Sequence, residues 1–227
     1  MRYIMKEKEP ASLTHARKTY LKKYSDMRED LKDEIKASLL KEQKHLCAYC
    51  MKRISSDDMQ IEHYVPQHPN GNIPQEEADR LSIDYNNMLG VCNGGKSAAN
   101  HSTDDLTCDQ HRGNAPLTVN PLRNETIEKI AYRSNGEIYS MDQQINNDLD
   151  KTLNLNAPGS YLVKNRKEAL ESFQSYVERH FAGKRLTFDD WSELLTKIQN
   201  GRDGECQPFV GIIEYYINRK IRQHSIS

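Results

Sequence analysis

Apolar residues in the first 46 positions keep helical time on a charged background. Leu31, Ile35 and Leu39 recur every four residues, one stripe of a helix whose other faces are charged. Pro10 suits a first helical turn, and Asp26 with Glu29 three residues on reads as a capping box. From residue 47 to about 125 the period is lost, and Gly, Asn, Pro, Cys and His become frequent. That composition marks an irregular segment held by metal or by function. Met59 to His63 reads as a short strand stopped by Pro66. Between Leu117 and Met141 short extended pieces are expected, with Asn135-Gly136 as a hairpin turn between Ile130/Tyr132 and Ile138/Tyr139. Helices return after Pro158-Gly159. Leu170, Phe173, Val177 and Phe181 keep helical spacing until Gly183, and Thr187 with Asp190 caps a helix carrying Trp191, Leu194, Leu195 and Ile198. Asn200-Gly201 ends it, and Pro208 opens a last helix with Phe209, Ile213, Tyr216 and Ile217 at core spacing, a helical support. The pattern predicts an α+β fold, mainly helical.

Composition narrows the function classes. The chain of 227 residues is 36% hydrophobic and 29% charged, which suits a soluble protein with much exposed surface. No stretch approaches the ~18–20 apolar residues of a membrane span, and the N-terminus has no apolar signal region, so a cytoplasmic protein without a membrane is expected. The net charge of −1 carries no general nucleic-acid signal. If nucleic acid is the partner, the grip must come from local basic patches, a bound cation or a second protein.

Candidate chemistry gathers in the irregular segment. Of five cysteines, Cys47, Cys50, Cys92 and Cys108 lie in or beside it, and Cys206 stands apart as a small, partly buried thiol. In a cytosolic chain such clustering suggests metal rather than disulfides. Cys47-Ala48-Tyr49-Cys50 can hold one tetrahedral Zn²⁺ from a tight turn, and Cys92 and Cys108 would complete four sulfur ligands. A redox pair of the same spacing would instead open a helix after a strand. Glu62 and His63 supply complementary chemistry at the end of the predicted strand. A neutral imidazole can take a proton from water, and a carboxylate can hold a hard cation such as Mg²⁺.

The order Cys47…Cys50, Glu62-His63-x-x-Pro66, Asn87…Cys92, Cys108-Asp109…Arg112-Gly113 resembles the HNH endonuclease pattern, and so a ββα-metal core with a zinc knuckle. The resemblance implies that His63 is the general base and that Glu62 and Asp109 hold a catalytic Mg²⁺ or Mn²⁺. Asn87 would brace the loop carrying His63, Arg112 would contact substrate, and Cys47, Cys50, Cys92 and Cys108 would carry a separate structural zinc. The chain departs from the pattern in two places. Fifteen residues, Asn93–Thr107, separate Cys92 from Cys108, which leaves His101 as an alternative fourth ligand. Asp109 stands where His or Asn is usual, so His111 is a second candidate for the catalytic cation. The implied division is an N-terminal helical region (1–46), the nuclease core (47–125), and a β-hairpin with a C-terminal helical region (126–227).

More narrowly, Met1-Arg2-Tyr3-Ile4, Leu81 to Gly95 and Cys108 to Pro121 are similar to PtuB-type proteins, the HNH components of Septu and some retron antiphage systems. That likeness implies a nucleic-acid substrate, DNA or RNA, and a PtuA-like ATPase partner. In retron versions it adds a reverse transcriptase and its RNA–DNA product. The competing reading is a non-catalytic zinc-knuckle module that binds nucleic acid or protein.

Overall fold

The computed structural model of the chain describes residues 1–68, 73–96 and 102–224. The apolar stripe of the first segment buries as expected. Helices α1 (Ala11–Thr19) and α2 (Glu29–Glu42) turn Leu13, Leu31, Ile35 and Leu39 into the core, and Pro10 sits at the N-cap of α1. The capping box at Asp26 does not form. Its carboxylate accepts the backbone N–H groups of Lys22 and Lys23, both at 3.3 Å, closing the preceding 3₁₀ turn, and Arg28 becomes the N-cap of α2.

The irregular segment holds an antiparallel pair, β1 (Met59–His63) and β2 (Met88–Cys92), with Met59 opposite Cys92 and His63 opposite Met88. Helix α3 (Gln75–Ser82) and a 3₁₀ turn at Tyr85–Asn87 connect them. Gly90 lets α2 approach β2. The buried amide of Gln43 donates to the Gly90 carbonyl and accepts from its N–H, both at 2.7 Å, and a Cβ at Gly90 would lie 2.8 Å from Met59 Cε. After β2 the chain returns to the short α4 (Cys108–Arg112), followed by α5 (Asn124–Ile127).

The predicted hairpin is present as β3 (Ile130–Tyr132) and β4 (Ile138–Ser140), turning at Gly136 with φ of 94°. Two further elements follow that were not among the expectations: α6 (Gln143–Asn147), capped by Asp142, and a turn of π-helix at Asp148–Thr152, which bury Ile145 and Leu149. The last three helices are α7 (Leu162–His180), α8 (Phe188–Asn200) and α9 (Val210–His224). Thr187 and Asp190 form the expected capping box on α8. The fold is therefore α+β and mainly helical, with two small sheets among the described residues.

One core cluster runs through all three stretches, joining Leu13 and Leu39 to Tyr49 and Leu89 and to Ile138 and Ile213. Backbone bonds add to it, Ile4 N–H to the Pro121 carbonyl at 2.8 Å and Phe209 N–H to the Met51 carbonyl at 2.9 Å. Cys206 packs in a smaller apolar cluster with Leu46, Met51 and Val210. Among the described residues no helix is long and apolar enough to cross a membrane.

Candidate metal centre and acid–histidine site

Cys47 to Cys50 form a closed turn. Met51 N–H bonds the Cys47 carbonyl at 3.0 Å, Cys47 N–H bonds the Lys52 carbonyl at 2.9 Å, and Met51 takes a φ of 64°. Ala48 N–H bonds the Gly90 carbonyl at 3.0 Å, which seats the turn on β2 near Cys92. The long excursion after Cys92 closes on itself, because Thr107 N–H bonds the Gly94 carbonyl at 3.0 Å. Gly94 has φ of 60°, and a Cβ there would stand 2.2 Å from the Thr107 carbonyl, so only glycine permits the closure. Cys108 is thereby delivered to Cys92. His101 lies outside the described residues.

The sulfur atoms of Cys47 and Cys108 are 3.9 Å apart, those of Cys50 and Cys92 3.7 Å, and those of Cys92 and Cys108 3.8 Å. All four lie within 4.8 Å of one another and all four residues are buried. A disulfide needs ~2 Å. A tetrahedron of sulfurs around zinc at ~2.3 Å has edges of ~3.8 Å. Four buried cysteines at this spacing could bind a metal such as zinc. Backbone donors point at two of the sulfurs: Cys92 N–H at Cys47 Sγ (3.4 Å) and Lys52 N–H at Cys50 Sγ (3.5 Å). Burial alone would raise the Cys47 thiol, yet the contacts with Cys108, Cys50 and Cys92 draw it well below its usual value. Arg166 supplies a buried cation whose field reaches Cys50 and Cys108. Its guanidinium is held by the Gly136 and Leu155 carbonyls at 2.6 and 2.8 Å, and it would complement the net negative charge of four thiolates on a divalent metal.

The node abuts the acid–histidine pair through Tyr49. Its hydroxyl donates to Glu62 Oε1 at 3.0 Å. Arg112, at the end of α4, donates from Nη1 to the same oxygen, and to Tyr49 Oη and the His63 carbonyl at 3.1 and 3.2 Å. Its Nη2 reaches the Tyr64 carbonyl at 2.6 Å and its Nε the Ala115 carbonyl at 2.8 Å. The expectation that Arg112 touches substrate is therefore corrected. Its side chain is 0% exposed, and its donors are spent on the protein. Burial pushes the Glu62 carboxyl up to about 8 against the pull of Arg112, and the neighbouring Asp109 carboxyl, hydrogen-bonded to it from the first turn of α4, adds to the rise.

His63 is buried edge-on against Tyr24, ring centroids 4.7 Å apart. The Ser82 carbonyl lies 2.9 Å from Nε2, so Nε2 carries the proton and Nδ1 the lone pair, which accepts from the Gln67 amide at 3.2 Å. Burial lowers the imidazole to about 4, leaving it neutral at pH 7. Asn87 pins the loop beyond. Its Oδ1 accepts Val65 N–H at 2.7 Å, and its Nδ2 donates to the Val65 and Leu81 carbonyls at 3.0 and 3.1 Å. His111 goes elsewhere. Two residues beyond Asp109 it points off the other side of α4, exposed, with Nδ1 at 3.1 Å from the Thr152 carbonyl. The idea that it shares a cation with Glu62 is thus corrected too. Among the described residues, the four cysteines are the only such group of three or more His, Cys, Asp or Glu ligands. Glu62 and Asp109 meet as a pair.

Because the folded value of His63 lies below its unfolded ~6.5, the unfolded chain takes up the proton first on acidification. Stability is full above pH ~6.5 and falls toward pH 4, by about 3 kcal/mol from this group. Denaturant midpoints for wild type and His63→Gln should converge over that window, and an unchanged gap between them would contradict it.

Sequence spacing did not reveal Tyr49, Gln67, Ser82 or the bracing role of Arg112. Two signals were available: Tyr49 sits inside the cysteine turn, and Gln67 follows His63 by four residues. No protein-family model matches the chain, and no curated protein matches it.

Proposed function

We propose that the chain is a metal-dependent phosphodiesterase of the HNH type, with β1, β2 and α4 as its ββα-metal core. The supporting observation is the meeting of Glu62, Asp109 and a neutral, proton-accepting His63 beside the four-cysteine node. Glu62 and Asp109 would hold the catalytic cation, Mg²⁺ or Mn²⁺, which when bound neutralises charge on the scissile phosphate. His63 Nδ1 takes the proton of the attacking water, and the Gln67 amide must yield that position. The Ser82 carbonyl keeps the imidazole in the required tautomer, and Asn87 fixes the loop that carries it. Cys47, Cys50, Cys92 and Cys108 hold a structural zinc that locates α4 against β2.

The chain's charge balance, 32 basic against 33 acidic residues, favours action within a complex. The proposed partners are a PtuA-like ATPase and, in a retron-type assembly, a reverse transcriptase with its RNA–DNA product. The test is cleavage of mixed DNA and RNA by purified protein with Mg²⁺ or Mn²⁺ and the ATPase present. His63→Ala should lose ~10²–10⁴-fold in rate at unchanged zinc content, in protein that circular dichroism shows to be folded. Equal behaviour of wild type and variant on every substrate would refute catalysis. One observation favours the second reading, a non-catalytic zinc module: both ring nitrogens of His63 and Oε1 of Glu62 are already engaged by protein groups.

A further inference from the structure

The C-terminal helices enclose a groove that the proposed catalytic site does not use. On α9, Ile212, Tyr215/Tyr216, Arg219/Lys220 and Gln223 recur at helical spacing, one continuous stripe. On α7, Leu170 and Gln174 are four apart and face it. The strand β3 ends there with Tyr132, and Arg133 and Ser134 just beyond it close a cavity of about 190 Å³. In a chain with as many acids as bases, its lining holds three cations, three tyrosines and two glutamines, and no carboxylate.

The tyrosines are anchored rather than loose. Tyr132 and Tyr215 have ring centroids 5.9 Å apart, and Tyr216 stands edge-on to Phe173 at 6.2 Å and Trp191 at 6.1 Å. Tyr216 thus does the core work its spacing predicts and still lines the groove, with Lys220 Nζ 5.4 Å from its ring. Arg133 and Arg219 are exposed at the rim. Arg133 shares its charge with Glu137 at 3.2 Å, whereas Arg219 and Lys220 make no ion pair among the described residues.

We propose that this groove binds single-stranded nucleic acid, one unpaired base against Tyr215 and Tyr216 and the flanking phosphates on Arg133, Arg219 and Lys220. Rigid aromatic rings beside cations are how proteins grip single strands. The cavity is smaller than the roughly 300–1,000 Å³ of pockets that take a whole small-molecule ligand, and it suits a base or a phosphate. A duplex keeps its base faces stacked and could use only the rim charges. Gln174 offers an amide donor and acceptor for a base edge, which an acidic peptide would not require. The inference does not depend on whether the chain cuts.

The test is fluorescence anisotropy of a labelled single-stranded oligonucleotide with full-length His63→Ala protein, without added Mg²⁺ or Mn²⁺. Binding is expected to weaken at least tenfold in Arg219→Glu/Lys220→Glu and to persist in the control Lys18→Glu/Lys22→Glu. The salt slope of log K should shrink by about 1.4 in magnitude, two phosphate contacts at ~0.7 each. A Tyr215→Leu variant with an unchanged melting curve is expected to weaken the single strand and leave duplex binding as it was. The proposal is overturned if the His63→Ala parent does not bind, if the α9 charge reversal binds as that parent does, or if polyglutamate displaces the strand at equal charge concentration. It is also overturned if Tyr215→Leu affects duplex and single strand alike. Loss of cleavage in His63→Ala bears only on the catalytic reading, since binding is measured in that background.

Discussion

Cys47→Ser is expected to yield little folded protein and no stoichiometric zinc. Cys47 lies at the junction of three segments: its carbonyl closes the knuckle, its sulfur accepts from Cys92 N–H at 3.4 Å, and Cys108 Sγ lies 3.9 Å away. A serine hydroxyl there would be buried among sulfurs, a poor zinc ligand left without a good partner. Structural zinc contributes on the order of 10–16 kcal/mol of apparent binding energy in small zinc-dependent folds, against a typical whole-domain stability of ~5–15 kcal/mol. Losing most of that is enough to unfold such a protein. Metal analysis with circular dichroism checks it, and strong chelators should reproduce the loss in wild type. Cys206→Ser is the control, with wild-type zinc expected, because Cys206 packs in the separate cluster with Leu46 and Val210. A folded Cys47→Ser with full zinc would remove the metal centre from consideration.

How much of this was legible in the sequence follows from what each element depends on. Helices whose stability comes from one apolar stripe, such as Leu31/Ile35/Leu39 and Trp191/Leu194, were readable because periodicity and burial are the same fact. The Asn135-Gly136 turn was readable because few residues tolerate its backbone angles. The helix Gln143–Asn147 and the π turn after it were not. Ile145, Leu149 and Leu153 recur every four residues and are buried, but the residues between them are almost all polar. Just beyond, the Leu153 carbonyl accepts Cys108 N–H at 2.9 Å and Asn154 Nδ2 reaches the Leu106 carbonyl at 2.9 Å, which supports α4. A stripe of three apolar residues in a polar stretch is a weak local pattern, and the contacts with α4 are tertiary. The four cysteines were legible as a set, but their convergence across fifteen intervening residues rests on Gly94, whose positive φ carries no signature beyond being glycine. Arg112 was misread for a related reason. An arginine near an acid–histidine pair looks like a substrate ligand until its burial is known.

That burial makes Arg112→Met the second large-effect variant, with an expected loss of about 3–5 kcal/mol. The methionine fills most of the space but leaves the carbonyls of His63, Tyr64 and Ala115 without their donor, and Glu62 with only Tyr49 on Oε1. Glu62 is already raised to about 8 by burial, and Arg112 is the largest influence holding it down, so the variant raises it further. A carboxyl whose folded value lies above its unfolded ~4.5 leaves the folded state unpenalised below that pH and costs stability as pH rises toward the folded value. The destabilisation of Arg112→Met should therefore be smaller at pH 5 than at pH 8. Adding Glu62→Gln, which cannot ionise, should flatten that pH dependence and recover part of the loss. Chemical denaturation at the two pH values measures both effects. Equal destabilisation at pH 5 and 8 would mean that Arg112 acts only through the three carbonyls and that the charge of Glu62 is balanced by another group. Zinc content should stay at the wild-type level throughout, because none of the sulfurs depends on Arg112 for its position.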